Sequence, residues 1–292
     1  MKVALRREIL RIPTDDGGLD LFDLLYDRIE HLSAEEVAGL EAGDLEVLNR
    51  LEALVLLEGE HAETLRRQRY DRHRAEVVAH RGPQLAEVDW SLAAGWPKWV
   101  SPLWRDPEQL RRLAESRAAG NRFLSLPGFV NPDAAQALYG EVTALEYERM
   151  DTPWVRGARH QVAPESALKA WTSLVTSEMT RTLFGAVLGR RLDAHLTANI
   201  WRLGPGDGMP VHADGRRYQA TISLGLSRAW SAAQGGAIAI GSPSEDRFDA
   251  QQRWLPHLGD VLLFAPEIDT WHAVEPVISG TRYSVTSWWT GP

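Results

Sequence analysis

A chain of 292 residues, 44% hydrophobic and 25% charged, is long enough for one large or two modest globular domains. Its net charge of −8 gives no reason to expect a nucleic-acid partner, no apolar run approaches the ~18 residues of a membrane span, and no apolar signal core follows Met1. Cysteine is absent, so disulfides and thiolate catalysis are excluded, any transition metal must use His and carboxylate, and a cytoplasmic enzyme fits.

Residues 3–12 read as a strand, 14–18 as a turn, 19–26 as a second strand and 28–32 as a third. Ser33 then starts a helix, with Glu36 completing a capping box. Asp44 caps another, whose Leu45, Leu48, Leu51, Leu54 and Val55 fall at helical spacing and which Gly59 is expected to end. His61 to Arg81 is an arginine-rich run, read as a solvated helix face that breaks at Gly82-Pro83. All twelve tryptophans lie between Trp90 and Trp289, which suggests a domain boundary near Trp90. Residues 85–105, rich in Trp and Pro, read as an irregular connector. Asn121 to Phe129 is a short strand and turn, and Asn131 caps a helix with Pro132 at its first position. Ser166 to Leu188 reads as one helix ended by Gly189, with Trp171, Leu174, Val175 and Leu183 in its apolar stripe. From Leu192 the period changes to two, with further strands expected at 218–226, 236–241, 261–264, 272–277 and 282–288. The division expected is a small domain over 1–82, a connector over 83–119 and a main domain over 120–292.

The chemistry concentrates late in the chain. His212 and Asp214 are i and i+2, so on extended backbone both side chains leave the same face. His272 follows 58 residues after Asp214, far enough for intervening strands to return it beside the pair. Two histidines and one carboxylate are the set that holds Fe(II) on one face and leaves positions open. Arg282 comes ten residues after His272, with Ser284 and Thr286 on its strand face. A guanidinium beside a hydroxyl suits bidentate binding of a carboxylate.

His212-Ala213-Asp214, His272 in the setting Gly259-Asp260-Val261 … His272-Ala273-Val274, and Arg282 together resemble the 2-oxoglutarate- and Fe(II)-dependent oxygenases, most closely their prolyl-hydroxylase-like branch, over roughly residues 120–290. The resemblance implies an α+β protein whose main domain is a double-stranded β-helix, a jelly roll braced by helices. It implies a dioxygenase that couples decarboxylation of 2-oxoglutarate to succinate with hydroxylation by O2. His212, Asp214 and His272 would be the iron ligands, and Arg282 would pair with the far carboxylate of 2-oxoglutarate. Ser284 and Thr221 are further candidates for that cosubstrate. So are Asn199 and Trp201, on the strand where relatives often carry a tyrosine; Trp201 departs from that pattern, because an indole donates one hydrogen bond and cannot copy a phenol. Arg216, Tyr218 and Trp288 are candidate substrate contacts. Gly235-Gly236 matches the family's pair before a core strand, and His160, His195 and His257 read as surface or supporting residues.

Residues 1–65, three strands and then helices, resemble the small winged-helix PqqD-like domains, which bind a leader peptide as an added strand. The same segment also reads as a helical cap or a dimer surface. The arginine run after it has a second reading as a dock for an anionic leader. The function expected is hydroxylation of a residue in a ribosomally made peptide. The alternatives are hydroxylation of a free amino acid or small metabolite, and a metal-binding, peptide-binding module without turnover.

Overall fold

A computed structural model describes residues 4–6, 9–14, 16–23, 28–65, 67–68, 71, 87–152, 155–161, 168–214, 218–243, 248–267 and 270–290. The first strands, β1 (Ile9–Pro13), β2 (Leu19–Asp23) and β3 (Arg28–Leu32), form an antiparallel meander. Ser33 and Glu36 close the expected capping box at the start of α1 (Ala34–Ala42), and Asp44 caps α2 (Leu45–Ala53) through the Glu46 and Val47 amides. Leu5, Ile9, Leu21, Leu32, Leu51 and Leu56 pack as a separate small core.

Two expectations fail here for one tertiary reason. The helix stops at Ala53 rather than Gly59, and β1 begins at Ile9 where a strand over 3–12 was expected. After Val55 turns to a positive φ of 56°, the chain pairs back: the Arg6 amide donates to the Leu56 carbonyl and the Glu58 amide to the Ala4 carbonyl, each at 2.8 Å. The buried Arg6 side chain, ion-paired with Asp23 at 2.7 Å, also donates to the Val55 carbonyl. The arginine run lies outside the described residues at 66, 69, 72, 74 and 81; Arg67 is exposed.

The segment read as an irregular connector is more regular than expected. A 3-10 turn covers Trp90–Gly95, and α3 (Pro107–Ala118) begins at Asp106, whose carboxylate accepts from the Glu108 amide. Ala93, Trp96, Trp104, Leu110 and Ala114 belong to the large core that continues under the main sheet. Next come β4 (Phe123–Leu126) and α4 (Pro132–Thr143), capped by Asn131 as predicted. The polar hairpin β5 (Glu148–Thr152) and β6 (Val155–Gln161) was not anticipated. The single helix expected over 166–188 is two, α5 (Lys169–Thr176) and α6 (Glu178–Leu188). Ser177 separates them with extended backbone, its hydroxyl capping the Thr180 amide.

The remaining strands are β7 (His195–Leu203), β8 (Met209–His212), β9 (Tyr218–Gly225), β10 (Ile238–Pro243), β11 (Phe248–Trp254), β12 (Val261–Phe264), β13 (Trp271–Val274) and β14 (Arg282–Thr290); β11 was also unforeseen. They form two sheets, β4-β12-β9-β14-β7-β6-β5 and β11-β10-β13-β8, with antiparallel pairing throughout. Leu203, Phe264 and Leu262 from the larger sheet meet Ile238, Ile240 and Val274 from the smaller one, so the sheets face each other as a jelly roll.

Period two along β14 assigns its faces. Val285 and Trp289 enter the large core with α5 and α6, where the Trp289 indole donates to the Val175 carbonyl at 3.0 Å. Arg282, Ser284, Thr286 and Trp288 point the other way, into the space between the sheets. Truncating Trp289 to alanine would cost roughly 3–5 kcal/mol as a fully buried aromatic.

Candidate active site

Between the sheets lies a cavity of about 260 Å3, walled by Trp201, Phe264, Trp288 and aliphatic side chains, with His212, Asp214, His272 and Arg282 in its lining. β8 and β13 are antiparallel neighbours, and His212 pairs directly with His272 in their register. Pro210 is tolerated in β8 because that strand is the edge of its sheet and the missing amide breaks no ladder. One ligand atom from each of His212, Asp214 and His272 lies within 4.8 Å of the others, the one such group among the described residues.

Both imidazoles are oriented by the backbone. Nδ1–H of His212 donates to the Pro210 carbonyl at 2.8 Å, and Nδ1–H of His272 to the Thr270 carbonyl at 3.0 Å. Each ring is thereby fixed in the tautomer that leaves Nε2 with a free lone pair, the form a metal requires. Burial, and then the neighbouring His212, hold the His272 imidazole below the ordinary histidine range, which favours the same neutral form. Phe264 packs on the His272 ring with centroids 5.1 Å apart and contributes to that burial.

Thr221, a candidate for the cosubstrate, lines the cavity beside Asp214. Its hydroxyl donates to Asp214 Oδ2, so its proton orients that carboxylate. In the same lining, Arg282 is 2% exposed, and burial pushes its guanidinium down to about 10. Nε donates to the Gly236 carbonyl and Nη1 to Ser284 Oγ, both at 2.8 Å. Among the described residues no carboxylate ion-pairs with it. Gly236 has φ of 66°, and a Cβ there would meet Arg282 Cδ at 3.0 Å, so the Gly-Gly pair makes room for the arginine and supplies its carbonyl anchor.

The other predicted residues divide. Ser284, Trp201 and Trp288 line the cavity; Ser223 and Thr286, hydrogen-bonded to each other at 3.1 Å, line it too, and Ser223 was not singled out from the sequence. Asn199 pairs with Thr286 on β14 but is outside the lining, and Tyr218 stacks on Trp288 with centroids 5.4 Å apart. Arg216 lies outside the described residues. His257 hydrogen-bonds Asp260, and His160 the Glu146 carbonyl, both away from the cavity.

Sequence reasoning also passed over Asp207. Its carboxylate accepts both oxygens' worth of contact from Arg149 Nη1, at 2.7 and 2.9 Å, and accepts the Gly204 amide at 2.8 Å. This fixes the turn that delivers β8. The Gly204-Pro205-Gly206-Asp207-Gly208 run signals a turn, but nothing local identifies Arg149 as its partner.

The donor set therefore suits Fe(II), and a buried guanidinium with no carboxylate partner among the described residues suits an incoming carboxylate. Residues 198–290 match a family described as the 2OG-Fe(II) oxygenase superfamily. The fold resembles a prolyl-4-hydroxylase from Pseudomonas putida, with TM-score 0.50 and 18% identity over 62% of this chain and 99% of that one. It also resembles a prolyl hydroxylase from Trichoplax adhaerens solved in complex with a hypoxia inducible factor oxygen degradation domain peptide fragment, with TM-score 0.50 and 18% identity over 63% of this chain and 91% of that one. No curated protein matches the chain in sequence. Among the described residues no helix is long and apolar enough to cross a membrane.

Proposed function

We propose that this enzyme, a dioxygenase that uses Fe(II), 2-oxoglutarate and O2, hydroxylates a residue of a peptide substrate. His212, Asp214 and His272 would hold the iron. The iron supplies the oxidising chemistry that takes 2-oxoglutarate and O2 to succinate and CO2 and delivers one oxygen atom to a substrate C–H bond. Arg282, with Ser284 beside it, would bind the far carboxylate of 2-oxoglutarate. The observation that carries this assignment is the buried guanidinium, which has no acidic partner among the described residues: a buried charge of that kind costs several kcal/mol unless a ligand compensates it. Trp201 and Trp288 would wall the reacting centre and exclude water, with Tyr218 steadying Trp288 from behind.

The peptide reading draws support from the Trichoplax relative's bound peptide fragment and from residues 1–65. β3 is an edge of its sheet and offers backbone groups to an added strand, as a leader peptide in the winged-helix, PqqD-like arrangement would need. Residues 1–82 would then form a recognition domain. Hydroxylation of a free amino acid or small metabolite competes, because a cavity of about 260 Å3 must also admit 2-oxoglutarate. The deciding experiment incubates the iron-loaded enzyme with a pool of short peptides and, separately, with free amino acids, and reads succinate release and the mass of each product. Gain of one oxygen atom by a peptide is the expected result. Gain only by a free amino acid would overturn the peptide reading.

Thr221→Val tests the carboxylate contact. It keeps the side-chain shape and removes the donor, so iron affinity should fall about 10–100-fold, as for other lost partners of metal ligands. Equilibrium iron titration reads this; a change confined to the Michaelis constant for 2-oxoglutarate would return Thr221 to a cosubstrate role.

A further inference from the structure

β8 and β13 carry the two histidines on one face, so their alternate residues Val211, Trp271 and Ala273 face away from the cavity. The outer face of a small antiparallel sheet is ordinarily the solvated one. Here it is not: Trp271 is 5%, Val211 8% and Ala273 9% exposed. The apolar side chains packed on this trio are Ala213 and Phe248 of the jelly roll, together with Ile29 and Leu65. Ile29 lies on β3, and Leu65 follows the small N-terminal core. The N-terminal unit thus covers the back of the strands that present His212 and His272.

We infer that Ile29 and Leu65 are positioning residues for the metal centre, so that the N-terminal unit is a brace on β8 and β13. The physical reason is that β8 is a four-residue strand at the edge of its sheet, tied to β6, among the described residues, only by the Gly208–Arg156 bridge at its start and joined to β13 through an irregular register. Such a strand depends on packing for its placement: Met209 packs inward between the sheets, and apolar burial of Val211 holds the outer face. The consequence for the enzyme is that anything shifting β3, including a strand added along its edge, is felt at the ligands one side-chain layer away. The inference rests on the proposed metal site but not on the choice of substrate.

The test uses the full chain with Ile29→Ala, Leu65→Ala and their combination. Mn(II) binding is measured by calorimetry and amide exchange of β8 and β13 is measured without metal. Expected is a rise in the Mn(II) dissociation constant on the order of tenfold, the lower end of what lost support of a ligand costs, together with faster exchange in β8. Leu138→Ala, in the large core on α4, serves as a stability-matched control that should leave both readouts unchanged. Should the double variant fail to fold, Ile29→Val and Trp271→Phe remove less volume from opposite sides of the contact and are read the same way. Unchanged exchange in β8 and β13 overturns the brace whatever the metal does. Faster exchange with no Mn(II) binding in the parent chain keeps the brace and overturns the metal assignment instead.

Discussion

Iron retention and succinate release are expected to disappear in His212→Ala and in His272→Ala, with the fold preserved. Each variant deletes one of three protein donors, so the loss should exceed the roughly 10–100-fold that follows when only a ligand's supporting partner is removed. The apoprotein should still melt cooperatively, a few degrees lower for His272→Ala because its ring is packed under Phe264, at about 2–4 °C per kcal/mol for a domain of this size. Metal content by elemental analysis and succinate by mass spectrometry are the readouts. Iron near one equivalent with normal succinate in both variants would place the metal elsewhere.

Arg282→Ala should raise the Michaelis constant for 2-oxoglutarate a hundred- to thousandfold while leaving iron affinity nearly unchanged. Removing one partner of a buried charge pair costs roughly 3–5 kcal/mol, and each 1.4 kcal/mol is about tenfold. Arg282→Lys keeps a charge but loses the planar fork that reaches both the Gly236 carbonyl and Ser284, so it should fall between parent and alanine. An unchanged constant in Arg282→Ala would move the carboxylate clamp elsewhere.

The contrast between these residues and the others shows what a sequence can carry. His212, Asp214, His272 and Arg282 stood out by residue type and spacing, and folding brings them to one cavity although Asp214 lies just past the end of β8. Thr221 also lines that cavity, but its hydroxyl turns to Asp214, a choice between two acceptors that no local pattern records. Arg149 and Asp207 meet across 58 positions of chain. The end of α2 was misjudged because the pull on Val55 comes from Arg6 and from pairing with residues 4–6, which overrides a locally sound helix pattern. β5, β6 and β11 were missed because they are polar strands at or near sheet edges, where hydrophobic alternation fades. α3 was missed as well: Asp106-Pro107 is an N-cap followed by a first-turn proline, but the segment was read as part of a connector.

The placement of β14 has a consequence for how the protein assembles. This strand lies between β7 and β9 and pairs along its length with both, although both precede it by many residues. Until β14 is in place, β7 and β9 expose facing edges with no partner, and Trp171, Phe184 and their neighbours lack the Trp289 that fills their core. The arrangement defers the best-buried contacts to the last strand and makes them long in sequence, which is the topology associated with slow folding. A chain interrupted ahead of Arg282 would therefore be left with two sticky strand edges beside an open core, prone to pair with other chains before it could bind iron or cosubstrate.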